Sequence, residues 1–335
     1  MSSDPLLSIC IPTFNRLHYL KEALSALMPQ AQVHGVEICV SDNHSTDGTA
    51  QFLEEVARDR HSMFRYVVQE SNIGLDRNMI AAIGMGKGQY IYPIGDDDVL
   101  PSGSLTDVLH GIEKGCDLLV LNGWHTTQSL KRTRIHLPVK IAGRSFAKPE
   151  AAFITLWDKM PFGSFLGSRE CFETNYFGRF LGTSHAYTGA VWDALADISR
   201  NKGGCNVICM EKPTVLLRGG EKSWRRDAAK IILHEIPLWF SLLMENDPYS
   251  KVVPPIMREY MESQTRFLAL LQFRAINQLA NNDVAKLASA CTPLQRERIA
   301  LVAKMPKKLA RLLVGTTNVI RAIKDLLLPK LTCQK

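Results

Sequence analysis

Several quick routes to a classification are closed to this chain by what it lacks. Its 335 residues contain no uninterrupted apolar run that approaches the ~20 residues needed to cross a bilayer. The longest candidate, Ile231 to Met244, is interrupted by His234, Glu235 and Pro237. The opening Met1-Ser2-Ser3-Asp4-Pro5 has none of the basic, then apolar, then small-residue order of a secretory signal. No two of the eight cysteines form a CxxC pair, and Cys205 and Cys209 have no second cysteine or histidine pair near them to complete a zinc site. Scattered thiols such as Cys10 and Cys39, set inside apolar runs, read as small hydrophobes in a reducing compartment, so a cytosolic chain is expected. Internal repeats and low-complexity stretches are absent. Residues 1–303 are neutral overall, which excludes a general nucleic-acid-binding surface.

What is present concentrates at Gly95-Asp96-Asp97-Asp98, three successive carboxylates directly after the apolar run Tyr90-Ile91-Tyr92-Pro93-Ile94. Adjacent carboxylates at the end of a buried strand repel one another and lose hydration unless a cation or strong donors compensate. Magnesium or manganese suits them, because such ions take one or two carboxylates and fill their remaining positions with water and phosphate oxygens. The alternative is a solvated acidic turn leading into the helix near Pro101-Ser102.

Upstream, apolar runs alternate with helical spacing. Leu6 to Ile11, Val36 to Val40, Phe64 to Val68 and the run before the acids read as strands; residues 17–27, Gly48 to Ala57 and Leu75 to Gly84 read as helices. The pattern predicts an α/β fold with a mixed, mostly parallel sheet flanked by helices, whose ligands bind beyond the carboxyl ends of the strands. Those ends carry Pro12-Thr13-Phe14-Asn15-Arg16, Ser41-Asp42-Asn43, Ser71-Asn72-Ile73-Gly74 and the acids. Each cluster alone would pass as a turn or helix cap; four at successive strand ends form one polar rim. Downstream come a strand at Leu118 to Leu121, a hairpin or loop excursion over Gln128 to Arg144, an aromatic, Gly-rich stretch from Phe153 to Ser168, a helix opened by His185 and running through Leu195, two strand-like segments at Val207 to Met210 and Thr214 to Leu217, and a basic loop at Arg218 to Arg226. From Lys230 the chain reads as helical.

The segments Leu7 to Arg16, Ser41-Asp42-Asn43-His44-Ser45-Thr46-Asp47-Gly48-Thr49, Asn72-Ile73-Gly74-Leu75-Asp76-Arg77-Asn78 and Gly95 to Asp98 together resemble the nucleotide-sugar half of family 2 glycosyltransferases of the GT-A fold. Leu181 to Ser184 and Lys212 to Gly219 further resemble the abequosyltransferase-like branch, whose members build O-antigen repeat units. The resemblance implies a hexosyltransferase with a GT-A domain over residues 1–227, its nucleotide-sugar half at 1–100 and acceptor half at 101–227, followed by a helical region at 228–335. It implies that Pro12, Thr13, Asn15 and Arg16 underlie the donor nucleotide, that Asp42 accepts from the base, and that Asn72, Asp76 and Arg77 line the nucleotide. Asp96 and Asp98 match the outer acids of the DxD element that holds the metal, manganese or magnesium, and Asp97 faces the sugar. For the base that deprotonates the acceptor, His185 is the first choice, with Asp193 and Glu211 in reserve; relatives carry their histidine where this chain has Tyr187. Arg218, Lys222, Arg225 and Arg226, beside Trp224, suit a loop closing over a diphosphate or gripping an anionic acceptor.

Eight lysines and arginines against one aspartate between Lys304 and Lys335 carry the whole net charge of +7, with apolar residues at helical spacing among them. A basic amphipathic helix of this kind can lie on the inner face of the cytoplasmic membrane. The expected activity is metal-dependent transfer of a sugar, of the deoxyhexose class, from a UDP-, CDP- or dTDP-linked donor to a lipid-linked oligosaccharide. The rivals are a sugar nucleotidyltransferase, which should show a Gly-rich basic loop after the first strand where this chain has Pro12 to Arg16, and a membrane-associated scaffold that only binds nucleotide.

Overall fold

A computed structural model of the chain describes residues 4–59, 63–220, 227–279 and 291–316. It separates into two compact units, residues 1–222 with 242–253, and residues 223–241 with 254–335. The first unit is built on a sheet in which nine strands are described.

Strands β1 (Leu7–Thr13), β2 (Glu37–Asp42), β3 (Phe64–Val68) and β4 (Tyr90–Pro93) pair in parallel in the order β3-β2-β1-β4. β1 and β2 are buried along their whole length, as expected for a parallel strand covered on both faces. Helices α1 (Leu17–His34), α2 (Thr49–Asp59) and α3 (Leu75–Met85) make the crossovers. On α1, Leu20, Ala23, Leu24, Leu27 and Ala31 form the buried stripe, and Gly35, at φ 63°, ends the helix in the left-handed conformation that glycine adopts without penalty.

Beyond α4 (Ser104–Ile112) the sheet becomes mixed. β5 (Leu118–Thr126) runs five residues past the expected strand and pairs antiparallel with β6 (Arg132–Ile135), so the hairpin or loop excursion expected over Gln128 to Arg144 begins as the second arm of a β5–β6 hairpin. The stretch from Phe153 to Ser168, which shows no clear period, supplies the end of helix α5 (Pro149–Leu156) and the short strand β8 (Phe165–Ser168). β8 lies antiparallel between β4 and β5 and welds the two halves. The two strand-like segments after residue 206 are one strand, β9 (Val207–Leu217), parallel to β5 and antiparallel to β7 (Ser145–Phe146). Pro213 is tolerated inside β9 because the β5 register shifts there, and Asn122 Nδ2 donates to the Glu211 carbonyl at 2.8 Å. Helix α6 (Ala186–Lys202) follows three short 3₁₀ turns, and residues 242–253 return to it: the Tyr249 hydroxyl donates to the Trp192 carbonyl at 2.6 Å.

The second unit is helical, with a core of Leu233, Met261, Leu270, Leu271, Ile299, Val302, Ala303 and Ala310. Thr292 caps the helix Pro293–Lys304, its side chain accepting from Gln295 N while Gln295 Oε1 accepts from Thr292 N. Among the described residues no helix is long and apolar enough to cross a membrane.

Candidate active site

The parallel half of the sheet delivers its polar strand ends to one rim, where they hold one another. The Asn15 side chain accepts from Thr46 N at 2.8 Å and its own N–H donates to Ser45 Oγ at 2.8 Å, so the loops after β1 and β2 form one surface. Asn15 sits at φ 51°, a conformation asparagine tolerates better than most residues. Asp47 accepts from Leu17 N at 2.9 Å with one oxygen and from the Thr49 hydroxyl at 2.6 Å with the other, capping α1 and α2 together. Asn78, on α3, donates to the carbonyls of Ser41 and Thr13 and accepts from the Ser41 hydroxyl. Asn43 joins Asn72 at 2.9 Å and accepts from Ile73 N at 2.8 Å. Pro12 pairs with Ser41 in the β1–β2 register and fixes the floor.

Asp42 is wholly buried at the end of β2. Its Oδ1 accepts from the backbone N–H and hydroxyl of Ser45, while its Oδ2, also buried, has no hydrogen-bond partner among the described residues. A buried carboxylate oxygen without a donor is costly, and it marks a place where a ligand N–H would be welcome.

The three acids are each 5–6% exposed. Thr13 Oγ1 donates to Asp96 at 2.7 Å; Arg16 Nη2 donates to Asp97 at 2.6 Å, and Arg16 Nε lies 3.3 Å from Asp96. Burial disfavours the charged Arg16 guanidinium, but the two carboxylates outweigh it and its pKa ends above the ordinary value. Arg218 N donates to Asp98 at 2.8 Å and Arg218 Nε to the Asp97 carbonyl at 2.7 Å. The Tyr19 ring meets both guanidinium groups, its centroid 4.9 Å from that of Arg16 and 5.0 Å from that of Arg218. From the turn before β8, Gly163 approaches so closely that a Cβ there would stand 2.4 Å from Asp98 Oδ2. Its carbonyl accepts from Tyr92 at 2.8 Å, and the Tyr92 pKa is raised, first by burial and then by Asp98.

Of the residues singled out from sequence, Thr13, Arg16, Asp96, Asp97, Asp98 and Arg218 converge in one cluster, with Asn15, Asp42 and Asn72 on the adjoining rim. Arg77 is exposed on α3, and Asp76 accepts from Gly182 N at 3.1 Å, tying α3 to the turn before α6. His185 is the residue that precedes α6; its Nδ1 faces the Thr183 carbonyl at 3.3 Å and its ring stacks on Tyr187. A carbonyl only accepts, so the Nδ1 carries the proton and Nε2 is the basic nitrogen. Asp193 lies two turns further along α6, about 12 Å of helix rise. Asn246 donates to it at 3.0 Å and Arg179 lies 3.3 Å away, and burial raises its pKa. Glu211 is exposed on β9. Lys222, Trp224, Arg225 and Arg226 lie outside the described residues. Tyr19, Glu22, Gln128 and Gly163 carried no signal as part of the site; only the helical offset of Tyr19 from Arg16 could have suggested one.

A parallel half-sheet joined through an antiparallel strand to a mixed half, with acids at the junction, is the GT-A glycosyltransferase fold. The comparisons agree on a glycosyltransferase: residues 8–173 match the model of glycosyl transferase family 2. It is 28% identical over 262 residues to the abequosyltransferase RfbV of Salmonella typhimurium, covering 73% of this chain and 76% of that protein. It is 29% identical over 111 residues to the GalNAc(5)-diNAcBac-PP-undecaprenol beta-1,3-glucosyltransferase of Campylobacter jejuni, over 33% of this chain and 36% of that one. Among solved structures, S. aureus TarS 1-349 in complex with UDP-GlcNAc superposes with a TM-score of 0.59 at 16% identity, over 89% of this chain and 90% of that one. Mannosyltransferase PcManGT from Pyrobaculum calidifontis, in complex with GDP-Man and Mn2+, gives 0.51 at 15% identity, over 97% and 88%. At such identities these likenesses concern the fold.

Proposed function

We propose that the protein transfers a sugar, of the deoxyhexose class, from a nucleoside diphosphate to a lipid-linked oligosaccharide in the synthesis of O-antigen or a related surface polysaccharide. The observation that carries the donor half of this reading is the pairing of a partnerless buried oxygen on Asp42 with an acidic turn one strand beyond its neighbour. Two interstrand spacings, about 10 Å, separate the ends of β2 and β4, a span that suits a nucleoside reaching from base to diphosphate. Asp42 would accept from the base, with Pro12, Thr13, Asn15, Asn72, Asp76 and Arg77 lining base, ribose or pyrophosphate.

The acidic cluster fits a divalent cation. Asp96, Asp97, Asp98 and Glu22 gather around Arg16 and Arg218, a group rich in the hard carboxylate oxygens that magnesium or manganese prefers. The described residues hold no converging set of three such ligands; an ion that takes one or two carboxylates and completes its shell with phosphate oxygens and water needs none. Asp96 and Asp98 would hold it, and when bound it supplies Lewis-acid neutralisation of the leaving diphosphate. Arg16 adds positive charge beside it, Asp97 orients the sugar, and the turn held by Gly163 and Tyr92 keeps the acids in place. The acceptor hydroxyl proton passes to His185 Nε2 as its oxygen attacks the anomeric carbon and the glycosyl–phosphate bond breaks.

The acceptor class rests on the activity for which the Campylobacter relative is named and on charge. Lys304, Lys307, Lys308 and Arg311 accompany the exposed Leu309 and Leu312 in the described part of the basic tail, a combination suited to an anionic leaflet. Arg321, Lys324, Lys330 and Lys335 lie outside the described residues. The deciding experiment is thermal stability with UDP, CDP, GDP and dTDP, each with and without manganese, since a ligand of the native state raises the midpoint. A manganese-dependent shift with one nucleotide is expected, and CDP would point to an abequose-like donor. No shift with any nucleotide would overturn the reading.

A further inference from the structure

Arg218 is built unlike a residue that waits for a ligand. Its side chain is 4% exposed although it stands at the end of β9, beside a Gly-Gly turn. All three guanidinium nitrogens are committed: Nε donates to the Asp97 carbonyl, Nη1 to the Gln128 carbonyl, and Nη2 to Glu22 Oε2 at 2.6 Å. Its backbone N–H donates to Asp98 Oδ1. One residue thus ties α1, the loop after β5 and the acidic turn to the end of β9. Arg16, by contrast, has a quarter of its side chain exposed and reaches the same acids from the open side.

We propose that Arg218 is a positioning residue that sets the orientation of Asp98, and not a group that grips the donor diphosphate. The acidic turn follows the end of β4 at Pro93 and leads into the bridge between Val99 and Leu216 of β9. The planar fork and the N–H of Arg218, at the end of β9, anchor it twice: once at the turn's carbonyl and once at the carboxylate itself. Glu22 balances the buried charge and fixes the fork, so α1 contributes to the placement of a carboxylate it does not touch. The proposal rests on the reading of this turn as the cation and diphosphate site.

Calorimetric titration of UDP, CDP, GDP and dTDP, with and without manganese chloride, tests it on the full chain as wild type, Arg218→Ala, Arg218→Lys and Glu22→Gln. Metal-free nucleotide affinity should stay within about threefold of wild type in every variant, because no diphosphate contact is lost. The gain in affinity that manganese confers should fall by roughly tenfold or more in Arg218→Ala and Arg218→Lys, and by roughly fivefold in Glu22→Gln, where a charged acceptor becomes a neutral one. Guanidinium chloride at low millimolar concentration should restore part of the manganese gain to Arg218→Ala, whereas sodium chloride should not. A tenfold loss of metal-free nucleotide affinity in Arg218→Ala would make Arg218 a diphosphate ligand and overturn the proposal; so would an unchanged manganese gain. If Arg218→Ala does not fold, Glu22→Gln decides alone, and a wild-type manganese gain there overturns it. A wild-type protein that binds no nucleotide, or gains nothing from manganese, would overturn the underlying site reading and this proposal with it, a result visible before any variant is made.

Discussion

Asp98 and Arg16 belong to one cluster but answer to different tests. Asn at position 98 keeps an oxygen able to accept from Arg218 N and fills nearly the same volume, so Asp98→Asn should leave the unfolding midpoint within a degree or two while removing one unit of charge. Turnover should fall by about a hundredfold or more, the usual loss when a group that neutralises transition-state charge is removed. A variant that retains full activity with manganese bound would sink the assignment of Asp98 to the cation. Arg16→Gln acts the other way. It strips the counter-ion from two carboxylates whose side chains are 7–8% exposed, which in a partly open site should cost about 1–2 kcal/mol of stability. Manganese alone should then raise the midpoint of Arg16→Gln more than that of wild type, because the cation takes over work that Arg16 performs. Equal shifts in both proteins would show that Arg16 does not offset these charges.

At the scale of elements, the β5–β6 hairpin sets the half-buried His125 against the buried His136, a pair that no part of the proposed donor site explains. His136 Nε2 faces the Lys159 carbonyl at 2.9 Å and must donate to it, so its Nδ1 accepts from His125 Nε2 at 3.1 Å. Burial, followed by His125, pushes the His136 pKa down from 6.5 to about 4; the hydrogen bond to the Lys159 carbonyl opposes the shift, and the charges of Arg134 and Lys159 add to it. A depressed histidine pKa means that the unfolded chain takes up the proton more readily. Its contribution is therefore complete above pH ~6.5 and disappears as pH falls toward 4, in all about 3 kcal/mol. His136→Gln should flatten that part of the stability profile in urea unfolding between pH 7 and pH 5; an unaltered slope would assign the acid sensitivity elsewhere. The elements also show what sequence could reveal. The parallel half was legible because each buried strand is a continuous apolar run closed by polar residues, and the crossover helices have an apolar stripe. β8 was not, because four residues buried on both faces show no period, and the aromatic stretch around it resembles a core helix as much as a strand. Pro213 split β9 in the pattern, since the register shift that accommodates it depends on Asn122, more than eighty residues earlier. The rim residues were visible through their turn chemistry, while Tyr19, Glu22 and Gly163 take their roles from neighbours distant in sequence.

For the whole molecule, charge and apolar exposure in the second unit bear on where the enzyme works. The sequence pattern suggests removing everything from Lys304 onward to test a membrane role. The structure argues for a milder change: Ala310 is fully buried in the core of that unit, and Leu313 and Val314 pack against it, so the deletion would unroof the core and confound any binding assay. Lys307 and Lys308 are exposed and make no described hydrogen bond or ion pair, which makes charge reversal at both positions the cleaner probe. If the basic tail meets an anionic leaflet, Lys307→Glu combined with Lys308→Glu should weaken sedimentation with phosphatidylglycerol-containing vesicles by roughly tenfold or more at low salt, with the difference shrinking as salt is raised. Neutral phosphatidylcholine vesicles should not distinguish the two proteins, and transfer to a soluble acceptor should be unaffected because neither lysine belongs to the donor site. Equal pelleting with anionic vesicles at low salt would remove the tail from membrane docking. A docked catalytic unit would meet a lipid-linked acceptor by diffusion in two dimensions instead of three, so loss of docking should appear as a raised KM for the lipid-linked acceptor with kcat intact.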